Sequence, residues 1–543
     1  MFKRNGAPAH GQRRRVAPAV LALALSAVAG AAWGQAPAAP LAPAPEPVFA
    51  IQGFQVTGDN PLGPAETGRI LAPFVRADAT MGSLQQATGA LEAALRARGY
   101  GLHRVSLPPQ EVGATVRLEI VTFSVHKVAV EGAQIHGAGN VRRALPELQE
   151  GRTPNFKRLA VQTAIANENP NRQVQVGIRE GDEPDRIDAT VTVKESRPWT
   201  FAVNASNTGS DSTGRDRLTV SGGHTNLFDR DHQFTGAYTT SLERLSDVQQ
   251  VGLAYRVPLY ALGGVVGASY TRSDVVGNFG AFTSTGAGHT FGLNYTWYLP
   301  PEGGRRSYLV LGLEDKVFKA ARINDIVVPG ALDRRSRPLV LGYNARTETD
   351  AAVWGYDAYL AVNTGSGRAN DLASYQSEDP RVATTRWKAL RGTLHYAAPF
   401  AGSWLLSARA QYQYSPDVLI SGEQFGLGGS GSVRGTAIER PLSGDKGLAG
   451  SVELSTPELG PGLRLFGFAD AGWLWNNSPN GTTKPASDRL GSIGLGARYT
   501  RGPLVASVEY GRLVAGSRVP LALNASSPQN GDDKLYVNIG VRF

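Results

Sequence analysis

From Trp199 to Phe543 the sequence is divided into segments of roughly ten residues in which apolar and polar side chains alternate. Gly, Asn, Asp, Ser and Pro lie between the segments. Alternation with a period of two indicates β-strands, because successive side chains of a strand point to opposite faces. The pattern predicts sixteen strands: Thr200–Asn207, Leu218–Thr225, His232–Thr240, Val251–Tyr260, Val265–Arg272, Phe291–Leu299, Tyr308–Val317, Leu339–Ala345, Tyr356–Asn363, Arg386–Tyr396, Trp404–Tyr414, Gly447–Leu454, Leu463–Trp473, Ile493–Tyr499, Val505–Gly511 and Lys534–Phe543.

An even number of strands, joined by short turns alternating with longer loops, favours a closed barrel that spans a membrane. Seven of the eight tryptophans lie in this half, several near strand ends, as in the aromatic girdles at membrane interfaces. In the last strand Leu535, Ile539 and the terminal Phe543 share one face. A soluble sandwich or propeller is the alternative, but no repeat of the ~40–50 residues typical of propeller blades is visible.

The N-terminal residues have the pattern of an export signal. Five basic residues precede an Ala/Leu/Val-rich run at Val16–Ala32, and Ala32 and Gly34 are small. This order predicts a secretory signal peptide over residues 1–34, with a membrane anchor as the alternative. The five basic residues also account for most of the net charge of +9, so the remainder is too weak to indicate a nucleic-acid partner.

Residues 35–48 form a Pro-rich linker, since proline at this density prevents an α-helix and favours an extended spacer. The mean hydropathy is −0.21, and beyond the N-terminus there is no apolar run near ~18 residues, which argues against membrane-spanning helices. The chain contains no cysteine, which excludes disulfides, thiolate metal sites and a cysteine nucleophile.

Two small α/β modules are predicted between the linker and the barrel, over residues 49–122 and 123–196. The first has a strand at Ile51–Gly58, a helix opened by a capping box of Ser83 and Gln86, and two further strands at Leu102–Leu107 and Thr115–Val121. The same order recurs in the second, with a helix at Asn155–Asn167 and strands at Gln173–Arg179 and Ile187–Lys194. Such small sheets leave an edge strand unpaired, which invites strand addition by a peptide. The alternative is that both modules are spacers without a partner.

Two motifs lie apart in the barrel half: QFGLGGSGSVRGTAI at Gln424–Ile438 and FADAGW at Phe468–Trp473. Together with the two modules, they resemble the two-partner secretion transporters of the outer membrane, the haemolysin secretion/activation family (ShlB/FhaC/HecB, TpsB type) within the barrel-assembly superfamily. Further likenesses are Asn169-Pro170-Asn171-Arg172, Asn226-Leu227-Phe228-Asp229-Arg230 and Tyr255-x-x-Pro258-Leu259. The chain departs from the family at Thr436, where an aromatic residue is usual.

The resemblance implies a mainly β fold, a sixteen-stranded transmembrane β-barrel over residues 197–543 preceded by two POTRA domains in the periplasm. A loop at about 416–446 would fold back into the lumen. The implied function is export of a partner exoprotein, which carries an N-terminal secretion domain, to the cell surface without ATP. Outer-membrane lipids and the barrel-assembly machinery would be further partners. A barrel-assembly factor of the same superfamily, or a simple porin, stays as the alternative.

In this superfamily the matching motifs lie on the lumen loop and on the barrel wall, which singles out Val433, Arg434 and Gly435 on one side and Phe468, Asp470 and Gly472 on the other. A loop that returns into a water-filled lumen needs more than an exposed ion pair, which is worth only ~0–1 kcal/mol. A bidentate contact between a guanidinium and a carboxylate in a confined lumen is stronger and directional. We therefore expect Arg434 to pair with Asp470 and to hold the loop in one of at least two positions.

No catalytic, cofactor or metal site is expected. Gly426, Gly428 and Gly431 spell the glycine pattern of dinucleotide-binding loops, but a β-hairpin follows here instead of the required helix. The eight histidines are scattered without metal-ligand spacing. We therefore expect no enzymatic activity beside the transport function that the resemblance implies.

Overall fold

The computed structural model describes residues 47–111, 113–245, 247–323, 326–481 and 483–543. The predicted signal peptide, and all but the last two residues of the predicted linker, lie outside these residues. None of the described helices is both long enough and apolar enough to cross a membrane.

The first module begins at Phe49. Its elements are β1 (Gly53–Gly58), α1 (Gly63–Leu71), α2 (Met81–Ala97), β2 (His103–Ser106) and β3 (Thr115–Thr122). The sheet has the order β1-β3-β2, with β1 parallel to β3 and β2 antiparallel to it. Leu84, Leu91 and Leu95 of α2 pack on this sheet because their spacing puts them on one face of the helix.

The capping box of α2 was predicted three residues too late. Thr80 is the N-cap: its hydroxyl accepts the backbone N–H of Ser83 at 3.4 Å, and the Ser83 hydroxyl accepts the N–H of Thr80 at 3.2 Å. Thr-x-x-Ser at 80–83 and Ser-x-x-Gln at 83–86 overlap in the sequence, and the earlier pair takes the position where free backbone N–H groups need acceptors.

The second module repeats this order. Its elements are β4 (Ser124–Glu131), α3 (Ala138–Ala144), α4 (Phe156–Ala166), β5 (Arg172–Glu180) and β6 (Arg186–Glu195). The sheet order β4-β6-β5 matches that of the first module, again with one parallel and one antiparallel pair. Ala189, Val191 and Val193 of the central strand are buried under the helices.

The remaining elements build the barrel and its loops. They are β7 (Trp199–Ser206), β8 (Arg217–Leu227), β9 (His232–Thr240), β10 (Gln249–Leu259), β11 (Gly264–Ser273), β12 (Gly277–Phe279), β13 (Phe282–Ser284), β14 (Gly288–Tyr298), β15 (Arg305–Phe318), β16 (Arg322–Ile323), β17 (Ile326–Val327), β18 (Arg334–Ser336), β19 (Pro338–Glu348), β20 (Val353–Asn363), α5 (Leu372–Gln376), β21 (Lys388–Phe400), β22 (Trp404–Tyr414), β23 (Phe425–Leu427), β24 (Leu442–Gly444), β25 (Lys446–Ser455), β26 (Leu463–Trp475), β27 (Ser487–Arg501), β28 (Leu504–Ala515) and β29 (Asp533–Arg542).

In the described part of the chain, sixteen long antiparallel strands close into a barrel, and the short β18 extends the pairing of β15 next to β19. The last strand pairs with the first through five residue pairs, from Asn538–Ser206 to Arg542–Ala202. Each of the sixteen predicted strands overlaps one of these long strands, so the predicted fold is confirmed. The short hairpins β12–β13, β16–β17 and β23–β24 lie in the loops and were not predicted.

Strand β26 illustrates how alternation separates the two faces of the barrel wall. Leu465 and Trp473 are exposed on the outside, where lipid would surround them. Phe468 and Asp470, at alternate positions, are buried on the inside. The same alternation exposes Leu535, Ile539 and Phe543 along the last strand, as expected for a barrel whose outer surface contacts hydrocarbon.

Candidate functional site: the lumen loop and its contacts

The segment between β22 and β25, residues 415–445, folds into the barrel, and we call it the lumen loop. A short hairpin of β23 and β24 forms its stem, in the register Phe425–Gly444. An apolar cluster then joins the loop to the wall formed by β25 to β28. It consists of Phe425, Leu427, Val433 and Leu442 from the loop and Ala449, Leu474, Leu490 and Leu513 from the wall.

Near the tip of the lumen loop, Arg434 lies against the Asp470 carboxylate. Its Nε and Nη2 donate to the two carboxylate oxygens at 2.9 and 2.8 Å, and its backbone N–H donates to Oδ2 at 3.1 Å. The hydroxyl of Ser492 also donates to Oδ2, at 3.2 Å. The guanidinium is 7% exposed and the carboxylate 0%, so this pair is shielded from the solvent that weakens surface ion pairs.

Further groups of the wall complete the surroundings of Arg434. Nη1 donates to Glu509 at 2.9 Å, and Nη2 donates to the Ser451 hydroxyl at 3.1 Å. The guanidinium carbon also lies 3.2 Å from the centre of the Phe468 ring, in the position of a cation–π contact. Arg434 is thereby held by an acid on each side and an aromatic face.

A second cation lies next to this arrangement on the same wall. Arg498 forms an ion pair with Glu453 and lies 4.0 Å from the centre of the Phe466 ring. Glu453 is also 3.8 Å from Arg434. The two arginines share two acidic neighbours, Glu453 and Glu509, which gives the wall a continuous charged row behind the loop tip.

The motif glycines provide the space for this approach. Gly435 has φ +101°, and a Cβ there would lie 3.1 Å from the carbonyl oxygen of Gly511 on the wall. At Gly472 a Cβ would meet the Leu427 side chain of the loop at 2.3 Å. Larger residues at either position would therefore push the loop away from the wall.

The backbone at Gly435 and Thr436 lies against Tyr536 of the barrel wall. The Tyr536 hydroxyl accepts the N–H of Gly435 at 3.1 Å and donates to the carbonyl of Thr436 at 3.4 Å. Lys534 donates to the carbonyl of Ala437 at 2.6 Å. The backbone at the tip is thus held by polar groups of the last strand.

A second attachment, at Glu423 near the start of the lumen loop, was missed from the sequence. Its side chain is fully buried. One carboxylate oxygen accepts the Ser336 hydroxyl at 2.6 Å, and the other accepts Arg391 Nη2 at 2.8 Å, with Lys316 3.4 Å away. The sequence signal that could have indicated Glu423 is an acidic residue next to a segment rich in glycine and apolar residues.

Two of the remaining motifs, 169–172 and 226–230, meet where the second module contacts the barrel, and we call this the module–barrel joint. Arg172, which is buried, donates to both oxygens of Asp231 at 2.8 and 2.9 Å and to Asn140 at 2.6 Å. Asp231 also accepts the Tyr260 hydroxyl at 2.6 Å. Asn140 reaches Asn226 at 3.1 Å, so two parts of the module and two barrel turns share one network.

The barrel turn in this joint is held in an unfavourable backbone conformation. Phe228, Asp229 and Asp231 have φ of 61°, 51° and 58°, in the left-handed region that non-glycine residues rarely adopt. Asp229 accepts the backbone N–H of Gly137 at 3.2 Å, just before α3 begins. Contacts from the module therefore stabilise a turn whose own residues would favour another conformation.

His136 is buried beside the same network. Its ring nitrogens are 3.5 Å from Glu195 and 3.8 Å from Asp231. Burial and the nearby positive charge of Arg172 lower the pKa of His136, although the two carboxylates act in the opposite direction. His136 is thus neutral in the folded protein under conditions in which an exposed histidine begins to take up a proton.

Among the described residues, no group of three or more His, Cys, Asp or Glu side chains is placed to hold a metal ion. The arrangement consists of a loop attached by breakable polar contacts inside a closed barrel, with α/β modules at one end of the chain. These features define an outer-membrane β-barrel transporter.

The chain belongs to the family of haemolysin secretion/activation proteins ShlB/FhaC/HecB, which it matches over residues 186–499. Residues 49–122 match the POTRA domain, ShlB-type. The resemblance found in the sequence is thereby confirmed, and the chain is an outer-membrane transporter of two-partner secretion.

Three comparisons illustrate the relationship. The outer membrane transporter CdiB of Escherichia coli is 26% identical over 452 residues, which cover 80% of this chain and 74% of that protein. The solved structure of CdiB from Escherichia coli superimposes with a TM-score of 0.72 at 22% identity, covering 93% of this chain and 92% of the other. That of CdiB from Acinetobacter baumannii gives a TM-score of 0.67 at 17% identity, covering 91% and 90%. Both structures share the fold described above.

Proposed function

We propose that this transporter exports one dedicated partner exoprotein, which passes through the barrel lumen as an unfolded chain while the lumen loop moves aside. The observation that carries the proposal is the attachment of the loop. Arg434 joins it to the wall through Asp470 and Glu509, contacts that a change of position can break and re-form. A covalent attachment would not offer this reversibility.

Residues 49–122 and 123–196 are proposed to be two POTRA domains in the periplasm that receive the N-terminal secretion domain of the partner. Within the described residues β1 of the first module pairs only with β3, so its outer edge has no strand partner there. A groove beside that edge is lined by Phe54, Val56, Pro64, Leu71 and Val75. An extended peptide could add to the strand edge through backbone hydrogen bonds and place alternate side chains in this groove.

Direction comes from the passenger in this account, because no ATP is available in the periplasm. Folding of the exported segment outside the cell would prevent its return, so that net movement needs no catalytic site and no cofactor. Outer-membrane lipids would contact the exposed apolar belt of the barrel. The barrel-assembly machinery would insert the transporter itself.

A comparison of a deletion strain with its parent tests this proposal. We expect one large extracellular protein to disappear from the secreted fraction, with other outer-membrane barrels at parental levels. Loss of many barrels would indicate an assembly factor instead, and no change in either fraction would indicate a porin. Complementation with the intact gene is the control.

A further inference from the structure

A second segment besides the lumen loop folds into the barrel. Residues 277–284, in the connection between β11 and β14, form the short antiparallel hairpin of β12 and β13, which we call the lumen hairpin. It contacts β9 and β11 on the inside of the wall. The lumen hairpin therefore occupies space that an exported chain would have to cross.

The wall beneath the lumen hairpin is built from small side chains. Ser221, Ala237 and Gly252 are direct cross-strand neighbours on β8, β9 and β10. The residues next to them in sequence, such as Val220 and Tyr238, are exposed on the outside. The three small residues therefore face the lumen and form a flat surface on which another segment can lie closely.

Phe282 of the lumen hairpin is buried on this surface. It packs with Ala237 and Ala254, and a Cβ placed on Gly252 would lie only 2.2 Å from its ring. At the hairpin turn, a Cβ on Gly280 would lie 2.8 Å from that of Ala237 and 3.8 Å from that of Ser221. The absence of a side chain at Gly252 is what allows the aromatic ring to lie there.

The lumen hairpin also lies beside the lumen loop. Arg440 of the loop reaches the carbonyl of Thr285 at 3.5 Å, just after the hairpin. A cavity of about 840 Å³ is bounded by the hairpin, by Ser430 and Glu439 of the loop, and by the strands where the barrel closes. The two segments thus divide the lumen between them.

We propose that the lumen hairpin is a second plug of the pore, held on the small-residue surface by Phe282, and that it leaves this surface during export. The proposed movement of the hairpin rests on the export function proposed above, whereas the proposed closure of the pore does not. One aromatic side chain on a wall of small residues gives a contact that can be released without breaking a buried ion pair, unlike that of Arg434.

The closure is tested by conductance of the purified protein in planar bilayers. Gly252→Val fills the place of the Phe282 ring, and Phe282→Ser removes the ring while leaving the wall unchanged. We expect both variants to conduct more than the parent. Gly236→Val is the matched control, because Gly236 is on β9 with only ordinary contacts around its Cβ position, and it should conduct like the parent. If Phe282→Ser conducts like the parent, the hairpin is not a plug.

The movement is tested with an engineered disulfide, and the introduced cysteines can pair only with each other because the chain contains no other cysteine. Ser221→Cys with Gly280→Cys places the two Cβ atoms at about 3.8 Å, within the range of disulfide geometry. We expect export of the partner to stop when the pair is oxidised and to return on reduction to the level of the Gly280→Cys variant, which is the reference because its new Cβ lies 2.8 Å from that of Ala237. Full export by the oxidised pair would overturn the proposed movement. Failure of the unsubstituted protein to export anything would instead contradict the proposed function.

Discussion

Replacing Arg434 with alanine should release the tip of the lumen loop. The change removes two hydrogen bonds to Asp470, one to Glu509 and one to Ser451. The Asp470 carboxylate, which is fully buried, keeps only the backbone N–H of residue 434 and the Ser492 hydroxyl. Breaking a buried ion pair in this way typically costs about 3–5 kcal/mol. Because each ~1.4 kcal/mol is a factor of ten, the released state should gain on the order of 10²–10³ in population.

Thiol labelling measures this population. Val433 is fully buried in the docked loop, so a single cysteine introduced there reacts only when the loop opens. We expect its labelling rate to rise by up to 10²–10³ when Arg434→Ala is added. Arg498→Ala is the control: it removes a neighbouring cation of the same wall that contacts Phe466, Glu453 and Glu509. It should not raise the labelling rate, because both acids then remain available to Arg434.

An exchange of the two charges should not restore docking. An aspartate at position 434 would face Glu509 and Glu453, which lie 2.9 and 3.8 Å from the present guanidinium, and like charges repel. Lysine at 434 should restore docking only in part, because an ammonium cannot make the bidentate contact. If Arg434→Ala left the labelling rate at the parental value, the reasoning about this contact would be wrong.

Four further changes have defined outcomes. Tyr536→Phe removes the hydroxyl that accepts the N–H of Gly435, and a loss of about 1 kcal/mol should raise the Val433 labelling rate by roughly fivefold. Glu423→Ala leaves Lys316 and Arg391 without their shared partner, so the midpoint of thermal unfolding should fall. Glu423→Gln should lower the midpoint less. An unchanged midpoint would contradict the role of Glu423. Asp231→Ala should expose the modules to limited proteolysis at the module–barrel joint, whereas the parent resists. Since burial lowers the pKa of His136, the unfolded chain takes up a proton at this residue more readily than the folded protein. The free energy of unfolding should therefore decrease as the pH drops through about 6.5, and less steeply in His136→Gln. Equal slopes for the two proteins would refute this.

The barrel could be predicted from the sequence because one physical constraint acts on every strand. Outward side chains contact hydrocarbon and inward side chains contact the lumen, so apolar and polar residues alternate in each strand. Leu465 and Phe468 of β26 illustrate the two faces. The short hairpins could not be predicted because strands of two or three residues are too short to show a period. The lumen hairpin is stabilised by Phe282 lying over Gly252, a contact between residues of different strands that sequence spacing does not reveal.

The contacts of the candidate site also divide into those that the sequence indicated and those that it did not. The pairing of Arg434 with Asp470 was suggested only by the family resemblance of the two motifs that carry them. Neither motif indicated the contacts of Glu509 and Tyr536 or the burial of Glu423. The module–barrel joint was visible as separate motifs, but Arg172 and Asp231 are brought together by the packing of a module against a barrel turn. Such partners follow from the assembled fold and not from a local pattern.

Passage of the partner through the lumen is tested most directly by photo-crosslinking at two adjacent positions of β21. His395 lines a lumen cavity of about 750 Å³ together with Arg434, whereas Leu394 is exposed on the outside of the barrel. With a photoreactive residue at one position or the other, export is arrested midway and the sample is irradiated. The account predicts crosslinks to the partner from position 395 and none from position 394. Crosslinks from neither position, or equally from both, would contradict export through the lumen.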